Sequence, residues 1–152
     1  MNEPAAPDDA LAVAGLLARY AELIDDGDFA GVGRLLADAV LCDGDGHPVA
    51  SGADEIERLY AATTIRHADG TPGTAHVITN LIVESTGPTT LTARSRFTVF
   101  QGLDDLPLQP VVVGRYVDEF DRGPDGWRFR RRVMRPERWG DVSRHLTFDP
   151  RG

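Results

Sequence analysis

The chain has 152 residues, 41% of them hydrophobic and 26% charged, which suits one soluble domain with a sizeable core. Its net charge of −8 argues against nucleic acid or an anionic membrane as the main partner, and no apolar run approaches the length of a membrane-spanning helix. The opening MNEPAAPDDA has neither the basic nor the apolar region of a signal peptide, and Cys42 stands alone, so no intramolecular disulfide is possible and a reducing cytoplasm is the expected location.

Residues 1–8, with Pro4 and Pro7, read as a disordered lead-in to one domain over 9–146, with 147–152 as a tail. LAVAGLLARYAELI then has helical spacing, with Val13, Leu17, Tyr20 and Ile24 on one face. Gly27 is a natural stop for that helix, and Asp28 can cap a short second helix, FAGVGRLLA, which its two glycines weaken. AVLCD (39–43) is a short strand candidate, ended by the turn-rich GDGHP. Ser51 to Asp54 resembles a capping box opening a third helix, DEIERLYAAT, with Ile56, Leu59 and Tyr60 inward. HADGTPG (67–73) reads as a loop.

Beyond residue 74 the period switches to two. Strands are expected at about 75–84, 90–101, 110–121 and 127–135, joined by short links that favour antiparallel neighbours. Helices first and strands afterwards is an α+β pattern. A helical layer over a curved sheet leaves room for a pocket. In TAHVITNL (74–81), regular alternation places His76, Ile78 and Asn80 on one face. In WRFRRRV (127–133) it places Trp127, Phe129, Arg131 and Val133 on one face and Arg128, Arg130 and Arg132 on the other; a β-bulge would swap them. Gly114, Tyr116, Asp118 and Phe120 share a face of the preceding strand. The basic run RFRRRVMR reads as a solvated or acid-paired strand face, in keeping with a chain that is acidic as a whole.

RYAELIDDGDFAGVGRLLAD, SGADEIERLY, HVITN, GRYVDEF and DGWRFRRRV, in this order and spacing, resemble the SnoaL-like branch of the nuclear transport factor 2-like superfamily over roughly residues 10–145. The resemblance implies a cone-shaped α+β barrel, with N-terminal helices packed on a curved, mainly antiparallel sheet around a deep pocket. It also implies frequent homodimerisation through the outer sheet face. Activity is not fixed by it, since the superfamily holds dehydratases, isomerases, cyclases, hydrolases and non-catalytic binders.

Scytalone dehydratase and a dehydrochlorinase of similar fold use an Asp–His pair, and Asp25 in ELIDDGD and His76 in AHVITN fall on those positions. A carboxylate on one ring nitrogen fixes the tautomer and stabilises the imidazolium, leaving the other nitrogen to move protons. Asp26 and Asp28 compete with Asp25 for this role, and a structural His satisfied by a capping acid is the plain alternative. Asn80 could orient a carbonyl or hydroxyl.

A second constellation resembles ketosteroid isomerase: Tyr20, Asp43 and Asp118 align with its oxyanion tyrosine, basic aspartate and protonated aspartate, Asp43 only with one residue deleted before AVLCD. Core packing for Tyr20 and a salt bridge to a neighbouring-strand Arg for Asp118 are the structural alternatives. Arg131, on an aromatic face, needs an acid or a ligand oxygen, and Tyr116 could line the same space. His47, His67, His76 and His145 show no metal-ligand spacing, and GDGHPV is no dinucleotide fingerprint, so neither metal nor cofactor is expected. The reading is an enzyme of lyase, isomerase or cyclase type acting on an apolar or polycyclic small molecule. His76 and Asp25 would be catalytic, and Tyr20, Asp43, Asn80, Tyr116, Asp118 and Arg131 would contact substrate. The rival is a non-catalytic binding or dimerisation domain.

Overall fold

The structure, a computed structural model, describes residues 2–152. In chain order the elements are β1 (Glu3–Pro4), α1 (Pro7–Asp25), α2 (Phe29–Leu35), β2 (Val40–Cys42), β3 (Pro48–Ser51), α3 (Ala53–Thr63), β4 (Thr74–Gly87), β5 (Thr90–Leu103), β6 (Leu106–Gly123) and β7 (Gly126–Trp139). They form one seven-stranded sheet, ordered β1-β4-β5-β6-β7-β2-β3, which does not close on itself. All pairings are antiparallel except β2 with β7. Three helices pack on this sheet, an α+β architecture.

Pro7 in the first turn of α1 lacks only an N–H that would be unsatisfied anyway, and Asp8 and Asp9 sit where the helix dipole favours negative charge. Val13, Leu17, Tyr20 and Ile24 are buried as one stripe. The chain leaves α1 through Gly27 at φ +74°, where a side chain would also strike the carbonyl of Gly70. Asp28 caps α2, accepting from the amide of Gly31 at 2.8 Å. Gly33, a poor helix former, is there because its missing side chain lets α2 lie against the carbonyl of Ala53 at the start of α3.

Two local expectations are corrected, and two segments take a form that the sequence did not announce. Residues 3–4 are not a disordered lead-in: they pair with Ser85 and Glu84 of β4, and the Ala5 amide donates to the Val83 carbonyl at 3.0 Å; Met1 lies outside the described residues. The α3 capping box does not form, because Gly52 is the N-cap at φ +82°, and Glu55 instead accepts from the Ser51 amide at 2.9 Å. The chain after GDGHP returns at once as β3, a hairpin partner of β2. The tail docks: the Thr147 amide and hydroxyl reach the carbonyls of Thr63 and Ala62 at 3.0 and 2.7 Å.

Two β-bulges decide which side chains look inward. On β4 the register steps from Thr79↔Arg96 to Ile82↔Arg94, so Asn80 and Leu81 share one partner position and Asn80 takes φ +57°. Between β6 and β7 it steps from Glu119↔Arg131 to Phe120↔Phe129. Phe129 then faces the core from one side of this bulge, and Arg132 and Val133 are buried on the other.

Candidate functional site

Asp25 is the last residue of α1, and His76 is the third of β4, the strand on which that helix lies. The two meet. His76 Nδ1 stands 2.6 Å from Asp25 Oδ1, and Oδ2 accepts from the His76 backbone amide at 2.9 Å. The Thr74 hydroxyl adds a third bond to Oδ1, at 2.9 Å. Neither Asp26 nor Asp28 takes this role; Asp28 caps α2. The carboxylate can only accept, so in the neutral ring the proton sits on Nδ1 and Nε2 carries the lone pair. No protein group among the described residues bonds Nε2.

The imidazole borders two hollows. One, of about 250 Å³, lies between α1, α3 and the inner face of the sheet and is walled mainly by apolar side chains such as Ile24, Leu59, Val99 and Trp139. The other is a groove between α1 and β4, reached by Glu22, Asp25 and Ile78. His76 is nearly sealed, with 7% of its side chain exposed, whereas Asp25 is 24% exposed. Solvent therefore touches the acid more freely than the base.

Tyr20, Tyr60 and Tyr116 are among the aromatic side chains that line the apolar cavity. The Tyr20 and Tyr60 hydroxyls are 2.6 Å apart, and the Tyr20 ring meets those of Tyr116 and His76 edge to face at 6.0 and 6.4 Å. Burial pushes the Tyr60 and Tyr116 phenols well above their ordinary value, so both stay neutral donors.

Behind these rings lies a buried ion pair. Arg132 Nε and Nη2 donate to Asp118 at 2.8 and 2.9 Å, and both side chains are 0% exposed. The guanidinium lies over Tyr116, Tyr20 and Phe129, at 3.8, 4.3 and 5.0 Å from their ring centres. Burial pushes the Asp118 carboxyl up, while Arg132 is pushed up by the charge and bonds of Asp118 against its own burial. The bidentate geometry is that of an ionised pair and decides between the two tendencies.

Four expected ligand contacts fall elsewhere. Arg131 points away from the cavity, donating to the Gly46 carbonyl at 3.1 Å, because the bulge gives Arg132 the inward position. Asn80, displaced by the β4 bulge, lies with Arg94, Arg96 and Arg115 at a separate depression. Asp43 spends its carboxylate on its own loop, accepting from the amides of His47 and Asp45 at 2.9 and 3.0 Å; those bonds hold it below the ordinary range. With Asp45 and His47 it brings three potential metal-ligand atoms within 4.8 Å of one another on an exposed turn. Asp118 is an ion-pair partner and does not line the cavity. The aspartate-shuttle arrangement, which requires Asp43 in the pocket, is not assembled.

The cavity also holds a residue that sequence reasoning passed over. His145, 7% exposed, lies beyond the last strand in a segment without periodicity, so nothing in the pattern marks it as inward. Its carbonyl accepts from the Ile65 amide at 2.8 Å, which pins the segment against the end of α3. Tyr60 was recognisable as a core position, but its hydroxyl contact with Tyr20 was not.

A helical layer on an open, mostly antiparallel sheet, with an acid–imidazole pair at the edge of an apolar cavity, defines a small pocketed α+β domain. Residues 6–133 match the model of the SnoaL-like domain, and the chain belongs to that family. Among solved structures it is similar to an NTF2-like protein with a cystatin-like fold from Novosphingobium aromaticivorans. That match has 26% identity and TM-score 0.70, and covers 90% of this chain and 87% of the other. Aln2 from a Streptomyces species matches at 22% identity and TM-score 0.74, over 88% and 94% of the two chains. A candidate scytalone dehydratase from N. aromaticivorans matches at 19% and 0.68, over 90% and 91%. No curated protein matches the chain.

Proposed function

We propose that the protein is an enzyme of lyase, isomerase or cyclase type that moves a proton on a neutral, largely apolar cyclic small molecule. His76 is the general base and Asp25 its orienting acid. The observation that carries this is the pairing of His76 Nδ1 with Asp25 at 2.6 Å in a ring that also borders the apolar cavity. Such a base is worth about 10²–10⁴ in rate. Proton transfer by this pair calls for no cofactor. The likeness to a candidate scytalone dehydratase, at 19% identity, speaks for the fold. Tyr20 and Tyr116 position the ligand through their rings. We extend the reading to a cytoplasmic homodimer joined through the outer sheet face, where Val77 and Ile82 are 41% and 50% exposed; a monomer by light scattering refutes the dimer.

The test needs no knowledge of the natural substrate. 2-Tetralone is a bicyclic ketone whose α-protons exchange with deuterium in D₂O, followed by proton NMR. The wild-type protein is expected to accelerate that exchange, and His76→Ala to lower the acceleration by about 10²-fold or more. No acceleration with 2-tetralone or its 1-isomer, or full acceleration by His76→Ala, overturns the assignment and leaves a binding domain.

A further inference from the structure

His145 has no part in the dyad, yet it lines the same cavity as His76. Its Nδ1 is sealed from solvent and has no hydrogen-bond partner among the described residues. A neutral imidazole carries one N–H and one lone pair. A sealed, unpaired N–H is the rarer and costlier of the two to leave unmet, so the sealed Nδ1 carries the lone pair and Nε2 carries the proton. His145 lines the cavity and Nε2 is not among the sealed atoms, so of its two nitrogens only Nε2 is open to a ligand. Two histidines that line one cavity thus carry opposite tautomers, His76 with a free acceptor and His145 with a free donor.

We infer that His145 is the electrophilic residue of this site, donating from Nε2–H to a carbonyl oxygen of the ligand while His76 works on the carbon beside it. The inference rests on the reading of His76 as the base and gives that reading a substrate class: cyclic compounds with an enolisable carbonyl. Burial lowers the His145 pKa to about 4, with the neighbouring His76 adding to the shift, Asp25 opposing it and His67 adding a little. A neutral donor is what this role needs, since it stabilises a developing enolate without giving up its own proton. The step balances. The α-proton goes to His76 Nε2, and the C–H electron pair becomes the new carbon–carbon π bond. The carbonyl π pair moves to oxygen, which His145 holds. The proton on His76 then returns to carbon or leaves with a β-hydroxyl as water.

The probe is 2-naphthol, whose oxygen on a planar bicycle imitates the enol of 2-tetralone; naphthalene is the same shape without the oxygen. Affinities for both are measured by fluorescence titration for wild type, His145→Phe and His145→Gln. The wild type is expected to favour 2-naphthol relative to naphthalene by about three- to tenfold more than His145→Phe does, the worth of one neutral hydrogen bond. His145→Gln, which keeps a donor, is expected to restore part of that preference. ¹⁵N NMR of the histidine rings should show His145 neutral with the proton on Nε2, and that resonance should move with 2-naphthol but not with naphthalene. Equal loss for both ligands, no loss, no binding of either, or an Nδ1–H tautomer each overturns the inference. Failure of His145 alone leaves the 2-tetralone exchange intact and dependent on His76. Failure of the dyad abolishes that exchange while the naphthol preference persists.

Discussion

Asp25→Asn keeps the shape of the side chain and removes its charge. Oδ2 accepts from the His76 amide and Oδ1 from the His76 ring and Thr74, so the two positions are not equivalent. The backbone N–H has no other acceptor and claims the amide oxygen of the new side chain. The NH₂ group then stands where Oδ1 stood, facing Nδ1. As a donor it draws out the lone pair of Nδ1 and moves the ring proton to Nε2. The base then faces the cavity already protonated, and the 2-tetralone exchange rate is expected to fall by about 10²–10⁴-fold. One charge-assisted bond is lost and a partly exposed acid is replaced, so stability in urea should fall by about 1–2 kcal/mol. ¹⁵N NMR reads the tautomer, proton NMR the exchange and denaturation the stability. A reversed tautomer with exchange still within about a factor of three of wild type refutes the argument, because the nitrogen held to be the base would then be dispensable.

Three further outcomes follow from the geometry. Arg132→Met strands the buried Asp118 carboxylate and should cost about 3–5 kcal/mol, whereas Arg131→Ala, which loses one bond to a loop carbonyl, should cost no more than about 1 kcal/mol; urea midpoints compare the two. Asn80→Ala should leave the 2-tetralone rate unchanged, since that side chain lies off the cavity. His145 is neutral in the fold down to about pH 4 but takes a proton near pH 6.5 when unfolded. Unfolded chains therefore bind more protons in that window, and stability falls as pH drops from 6.5 to 4. The full shift is worth at most about 3 kcal/mol, and His145→Phe should flatten that part of the stability–pH curve measured by chemical denaturation.

The α+β order, the three helices and the four long strands were legible because period and punctuation carry them. Asp28 as a cap and Tyr20 as part of an inward stripe were legible for the same reason. The errors cluster where one residue is added to a ladder. Strict alternation on β7 turns Arg131 inward; one bulge beside Phe129 hands that place to Arg132. Strict alternation on β4 puts Asn80 beside His76; the bulge at Asn80 sends it to the other face and brings Leu81 and Val83 in. The two bulges that misplace these side chains sit at Asn80 and Arg130, residues that also occur in regular strands, so composition gives no warning. The docking of residues 144–148 was illegible for a different reason: the segment is held by backbone bonds to α3 and by Gln101 Nε2 on the Arg144 carbonyl at 2.9 Å, and neither leaves a periodic trace.

The exchange of Arg131 for Arg132 changes what the cavity can accept. An inward arginine with no protein partner would invite a carboxylate. Arg132 instead has Asp118 on its edge and Tyr20 and Tyr116 on its faces, and none of its side chain is exposed. The cavity is left with neutral tools: phenol rings, one imidazole held neutral, and a second whose charge, once it takes a proton, is countered by Asp25. A carboxylate entering here would lose its hydration and meet no free cation. 2-Naphthoate should therefore bind at least about tenfold more weakly than 2-naphthol at neutral pH, a gap of about 1.4 kcal/mol. Equal or tighter binding of the naphthoate in the same fluorescence titration would mean that the guanidinium can be reached past the tyrosines, and the site would then have to be reassigned to anionic ligands.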